Sequence, residues 1–204
     1  MRTMGNGMKK YLLIITLLLI SCVSKEGLSA ESSRQPRGNP RSSIVIEEFS
    51  DLQCPACQRT HQNAVLPLLN QYRNTVRYEF RHFPIRTIHA FAQEAAEAAE
   101  CAADQGKFWE FIDDVYASPE NQSDLTREGL IERAKAVRIA DIDLFKRCLR
   151  SRIKRDIVKD DYDEGIERGI QGTPTFFIAG ERVGRNTLDV MRGMIQAKIG
   201  GQRL

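Results

Sequence analysis

The chain has 204 residues, 42% hydrophobic and 28% charged, with a net charge of only +3. That length holds one domain with a full hydrophobic core beside short appended segments. So even a charge balance, without a dense basic face interleaved with aromatics, argues against nucleic acid as the main partner.

Residues 1–22 read as an export signal. Arg2, Lys9 and Lys10 precede an apolar run over residues 11–20, too short to span a bilayer as a helix, and Ser21 and Cys22 follow. The tetrapeptide Leu19-Ile20-Ser21-Cys22 resembles the lipobox of bacterial lipoproteins. Cys22 is then the expected lipidation site and mature N-terminus, with an ordinary signal cut after, for example, Ala30 as the alternative. From residue 23 to about 37 the composition turns to Ser, Gly, Pro, Arg and Glu and cannot bury a core, so a flexible tether is expected. Residues 38–204 remain for the folded domain.

That domain is organised around Cys54-Pro55-Ala56-Cys57. A short β-branched strand, residues 43–49, leads into the pair, and a helix over about 55–72 follows, with Val65, Leu66, Leu68 and Leu69 as apolar positions. A thiol at a helix start meets unpaired backbone N–H groups and the positive end of the helix dipole, which favour the thiolate. Cys54 is therefore the expected nucleophile and Cys57, one turn further in, the resolving thiol. Half of a zinc site and an inert disulfide are the alternatives. Zinc wants four ligands, and the chain has no second Cys-x-x-Cys and only His61, His82 and His89. A loop this small would constrain the unfolded chain little.

Residues 75–83 alternate apolar and polar side chains and stop at Pro84, which makes a strand and a parallel crossover unit. An alanine-rich helix over 90–103, a break at Gly106 and a second helix over 107–116 come next, with Trp109 as core. Asp124 or Thr126 is placed to cap a helix reaching about Val137, and further helices are expected over 141–151 and 152–168. Lys146, Arg147, Arg150, Arg152, Lys154 and Arg155 read as a solvated helix face, with Asp156, Asp160 and Asp161 as counter-charges, and contact with anionic lipid as the minority reading. A hairpin through Phe176-Phe177-Ile178 and a final amphipathic helix, about 187–199, close the chain.

Together, Glu48-Phe49-Ser50-Asp51 before Cys54-Pro55-Ala56-Cys57, Gly106-Lys107-Phe108-Trp109 inside a helical stretch, and Gly172-Thr173-Pro174-Thr175 before a terminal hairpin resemble the DsbA-like thiol:disulfide oxidoreductases. The resemblance implies an α/β, thioredoxin-like fold with a helical insertion at about 86–168, between a βαβ half and a ββα half. It further implies a cis peptide before Pro174, substrate backbone binding at Thr173 and Pro174, and a buried Glu48 that relays the proton of Cys57. Some relatives carry a second disulfide in the insertion, which implies a structural pair of Cys101 with Cys148; buried free thiols are the alternative.

The activity implied is extracytoplasmic, in the periplasm or cell envelope: introduction of disulfides into exported proteins through Cys54 and Cys57, with no metal and no organic cofactor. A membrane quinone-linked thiol oxidase would reoxidise the pair. A reductase or isomerase with few clients, served by a membrane reductant, is the alternative, and a non-catalytic binding lipoprotein is the rival from another class.

Overall fold

The computed structural model describes residues 27–118 and 124–201. The expected signal segment and Cys22 lie outside the described residues. A five-stranded sheet has the order β1-β3-β2-β4-β5. Its strands are β1 (Arg37–Gly38), β2 (Val45–Ser50), β3 (Arg77–His82), β4 (Thr175–Ile178) and β5 (Glu181–Arg182). β2 and β3 run parallel, whereas β4 is antiparallel to β2.

The alternation of β2 decides what each face can do. Ile46, Glu48 and Ser50 point to one side; in register with them are Tyr78, Phe80 and His82 on β3, and Ile178 and Phe176 flank Ile46 and Glu48 on β4. Phe49 points to the other side and packs with Phe83, Ile170 and Phe177. The first face is covered by α1 (Pro55–Thr60), α2 (Leu66–Tyr72) and the C-terminal α8 (Leu188–Gly201), through Val65, Leu68, Met191 and Ile195. The opposite face is covered by α7 (Arg155–Glu167). There Gly165 is indispensable for fit, since a Cβ on it would lie 2.5 Å from a ring carbon of Phe83.

The expected single helix over 55–72 contains a π turn, His61–Val65, between α1 and α2. Pro67 has no N–H to donate and crowds the carbonyl four residues back, and the wider turn ahead of it relieves that crowding. The insertion consists of α3 (Ala92–Ala103), α4 (Phe108–Ala117), α5 (Arg127–Ala136) and α6 (Ile142–Ser151). In α3, ten of twelve residues are buried, and small alanines let its neighbours approach closely. Thr126 caps α5 through Gly129 N–H, and Asp141 caps α6 through Leu144 N–H. Cys101 and Cys148 are disulfide-bonded, with Cα atoms 5.9 Å apart, and tie α3 to α6.

Two expectations are corrected. Residues 31–37, expected to belong to a flexible tether, lie against the domain. Arg34 forks onto Asp161 at 2.6 and 2.7 Å and reaches Glu100 at 2.9 Å; Trp109 Nε1 donates to the Gln35 carbonyl at 2.8 Å; Arg37 pairs with Asp113. The two acids are buried, and the arginine supplies the charge they need. The basic cluster is not one solvated face either, because Lys154 is fully buried, donating to Asp104 at 2.7 Å and to the Glu31 carbonyl at 2.6 Å. Asp161, expected as its counter-charge, belongs to Arg34 instead.

Candidate active site

The loop that carries the cysteine pair is fixed by its own side chains. Asp51 is buried; its Oδ1 accepts the Gln53 N–H at 2.7 Å, and its Oδ2 accepts the Ile85 N–H and meets His89 Nδ1, both at 2.8 Å. Gln53 Oε1 accepts the Phe91 N–H at 2.8 Å. The segment entering the insertion is thereby fastened to the loop before Cys54. Cys54 itself is the N-cap of α1 in extended conformation, with Pro55 in the first turn, where a missing N–H costs nothing.

Both thiols are free, Cys57 with no exposed surface and Cys54 with 7%. The hydrogen bond from Cys57 is the largest influence on Cys54; with the backbone N–H groups of Cys57 and Ala56 and the side chain of Thr173, it outweighs burial and lowers the Cys54 pKa to about 5. Cys57 moves the other way, pushed well up by burial and then by the Cys54 sulfur and Glu48.

Across from the pair, the Thr173–Pro174 peptide is cis, and the Thr173 carbonyl lies 3.7 Å from Cys54 Sγ. Asn186 Nδ2 donates to the Pro174 carbonyl at 2.6 Å and holds this loop in place. Thr173 Oγ1 is buried and aimed at no other group among the described residues, which places it to donate to a Cys54 thiolate. An open groove of about 420 Å³ runs beside α1, lined by Ala56, Arg59, Asn63, Asn186 and Leu188.

Beneath the cysteines Glu48 is fully buried. The Tyr78 hydroxyl donates to Oε2, Ser50 Oγ donates to Oε1 at 2.7 Å, and the same Ser50 Oγ meets the Tyr116 hydroxyl at 2.9 Å. Burial pushes the Glu48 carboxyl up, against His61, Tyr78 and Ser50. Glu47, facing the other way, pairs with Arg168 at 2.9 Å. The arrangement places a buried carboxyl of raised pKa below two thiols of opposite acidity, which suits thiol exchange with an internal acid and base. Among the described residues no group of three or more His, Cys, Asp or Glu side chains is disposed to hold a metal ion.

Cys54, Cys57, Glu48, Thr173 and Pro174 thus converge, whereas Cys101 and Cys148 join two helices of the insertion. The roles of Asp51, Tyr78, Tyr116 and His61 at the site were not foreseen from the sequence. Only His61 carried a local signal, four residues after Cys57 and so on the same helix face.

The family model described as Thioredoxin matches residues 31–197. The chain belongs to the thioredoxin family. The match starts where the N-terminal segment begins to bind the domain. The chain is 34% identical over 169 residues, 82% of its own length, to a protein of Salinispora arenicola named Na(+)/H(+) antiporter NhaA 1, and spans only 25% of that protein. It is 31% identical over 158 residues to a probable disulfide bond formation protein D of Bacillus anthracis, covering 74% of this chain and 72% of the other. The crystal structure of oxidised BdbD from Bacillus subtilis superposes with a TM-score of 0.74 at 19% identity, over 82% of this chain and 94% of that one, and shares its fold.

Proposed function

We propose that the chain is an extracytoplasmic protein thiol:disulfide oxidoreductase that introduces disulfides into exported proteins. The observation that carries the reading is the free thiol pair at the start of α1, with Cys54 at the N-cap against the Thr173 carbonyl and Cys57 buried one turn in. That arrangement lowers the Cys54 pKa and raises that of Cys57. In the oxidised enzyme a substrate thiolate attacks Cys54 Sγ and expels Cys57, which takes up a proton; Glu48 is the nearby carboxyl suited to supply it. A second substrate thiolate then attacks the substrate sulfur of the mixed disulfide and expels Cys54 as a thiolate. Substrate leaves oxidised and the enzyme holds the two electrons. Stabilising the Cys54 thiolate stabilises this reduced form, and so makes the disulfide a stronger oxidant.

Client backbone runs along the Thr173–Pro174 edge as an added strand, with flanking side chains in the groove between Arg59 and Asn186. Cys101–Cys148 is a structural bridge. A membrane thiol oxidase linked to quinone regenerates the Cys54–Cys57 disulfide, and lipidation at Cys22 keeps the enzyme at the membrane. Three features of the chain and its relatives support this placement: the export-type N-terminus, the disulfide within the insertion, and the likeness to a protein named for disulfide bond formation.

The test is oxidation of a reduced, unfolded protein by the oxidised chain, with client thiols counted by mass spectrometry. The reading expects two client thiols lost per enzyme disulfide, and none with Cys54→Ser. Client disulfides opened by the reduced chain, with no net oxidation, would favour the reductase.

A further inference from the structure

Ser50 ends β2 on the face that carries Glu48, two residues back, and is 1% exposed. Its one hydroxyl stands among three polar neighbours. It donates to Glu48 Oε1 at 2.7 Å, lies 2.9 Å from the Tyr116 hydroxyl, and hydrogen-bonds the side chain of Cys57. Tyr116 is fixed in turn. Its hydroxyl donates to the Asp51 carbonyl at 3.2 Å, and its own carbonyl accepts from Gln58 Nε2 in α1 at 3.0 Å. Among the described residues no hydrogen bond joins Glu48 to Cys57. Tyr78 and Ser50 donate to the two carboxyl oxygens, and Glu48 acts on the thiol through charge.

We propose that Ser50 is the proton relay between Glu48 and Cys57, its hydroxyl receiving a proton from the carboxyl on one side while giving its own to the sulfur on the other. A serine hydroxyl suits this task because it has one proton to donate and two lone pairs to accept with. It can accept from the carboxyl, donate to the sulfur and keep its contact with Tyr116.

The step balances. A substrate thiolate attacks Cys54 Sγ, the Cys54–Cys57 bond breaks, and its electron pair stays on Cys57. The Glu48 carboxyl passes its proton to Ser50 Oγ, whose own proton moves to Cys57 Sγ. The products are a mixed disulfide at Cys54, a Cys57 thiol, an unchanged serine and a Glu48 carboxylate. Both ends of the relay are tuned for that direction: burial raises the Glu48 carboxyl, which keeps its proton available, and burial makes Cys57 a strong base once it is expelled. Cys54 leaves in the later step as a stable thiolate, so Ser50 has no part there.

The inference rests on the oxidoreductase reading and adds the route of its proton. Rapid quench and mass spectrometry follow glutathione attack on the oxidised full chain for wild type, Ser50→Ala, Glu48→Gln and the double variant. Ser50→Ala should slow this attack on the order of 10²-fold, as far as Glu48→Gln does, with the double variant no slower than either. Release of Cys54 from a glutathione mixed disulfide, made stable by Cys57→Ala, should keep its rate when Ser50→Ala is added. Three results would each overturn the relay: Ser50→Ala at the wild-type rate, slowing of both steps, or single effects that multiply in the double variant. If Ser50→Ala fails to fold, Tyr116→Phe, which keeps the ring and removes the hydroxyl that fixes Ser50, must slow the same attack for the inference to stand. If glutathione does not open the wild-type disulfide, the oxidoreductase reading itself falls.

Discussion

Cys54 and Cys57, three residues apart at the start of one helix, are shifted in opposite directions: the outer thiol is made acidic by the hydrogen bond from the inner one, and the inner thiol is held protonated by burial. Only one of them is an available nucleophile at neutral pH. In the reduced chain, alkylation by iodoacetamide should modify Cys54 alone, with a rate that is half-maximal near pH 5 and flat by pH 7. A midpoint near the ordinary thiol value would contradict the assignment.

The same shift links redox state to stability. The Cys54 pKa in the folded, reduced chain lies below its ordinary value of 9.0, so its stabilising effect is complete above that value and is lost as pH falls through about 5. The reduced form should therefore melt above the oxidised form at pH 7, with the difference shrinking towards pH 5. Calorimetry of the two forms across that range tests this; a difference independent of pH would contradict it.

Glu48→Gln removes a buried ionisable group and keeps its shape. Fluorescence stopped-flow at neutral pH should show slower attack of a substrate thiolate on the oxidised pair, the step that expels Cys57, on the order of 10²-fold, the usual scale of general acid–base assistance. The second attack, which expels Cys54 as a thiolate, should change little. Equal slowing of both steps would point to a structural defect instead.

What the sequence revealed follows from the range of the forces involved. The start of α1 at Cys54-Pro55, a cap at Asp124 or Thr126, and the in-and-out alternation of β2 depend on neighbours within a few residues, and all were legible; that Glu48 rather than Glu47 faces inward came from the resemblance. The element order and the turn before Pro174 pointed to the fold through their succession. Arg34 was not legible, because its partners lie 66 and 127 residues away and nothing local distinguishes it from a tether arginine. Lys154 was hidden in the same way among surface-like basic residues. His61 stood at a visible spacing from Cys57, but its partner Asp113 is brought to it only by the tertiary fold.

Arg34→Ala should be costly, because it leaves Glu100 and Asp161 buried without their cation, roughly 3–5 kcal/mol by analogy with other broken buried pairs. Burial disfavours the Arg34 charge, but Asp161 and Glu100 more than offset it. Glu100 is raised by burial, yet His82 and Arg34 bring it down to about 2 against an ordinary 4.5, so its contribution is present above 4.5 and is lost as pH falls towards 2. Urea melts at pH 7 and pH 3 should show a smaller deficit for the variant at the lower pH. An unchanged wild-type midpoint in Arg34→Ala would show that the N-terminal segment is a passive tether.

Replacing both Cys101 and Cys148 by Ala opens a link across 47 residues and should cost roughly 2–4 kcal/mol of stability in urea melts. Cys54 should keep its alkylation profile. Loss of that profile would mean that the bridge also shapes the exchange site.

Whether the chain is an oxidase is decided by the reduction potential of the Cys54–Cys57 pair, measured on the full chain against glutathione, with thiol trapping and mass spectrometry to score each cysteine separately. Exchange should be reversible and confined to these two residues, with a potential towards the strong-oxidant end of the known range, around −120 mV. A potential around −270 mV, roughly 7 kcal/mol away, would make the chain a reductase, and failure of the pair to equilibrate would contradict thiol catalysis altogether.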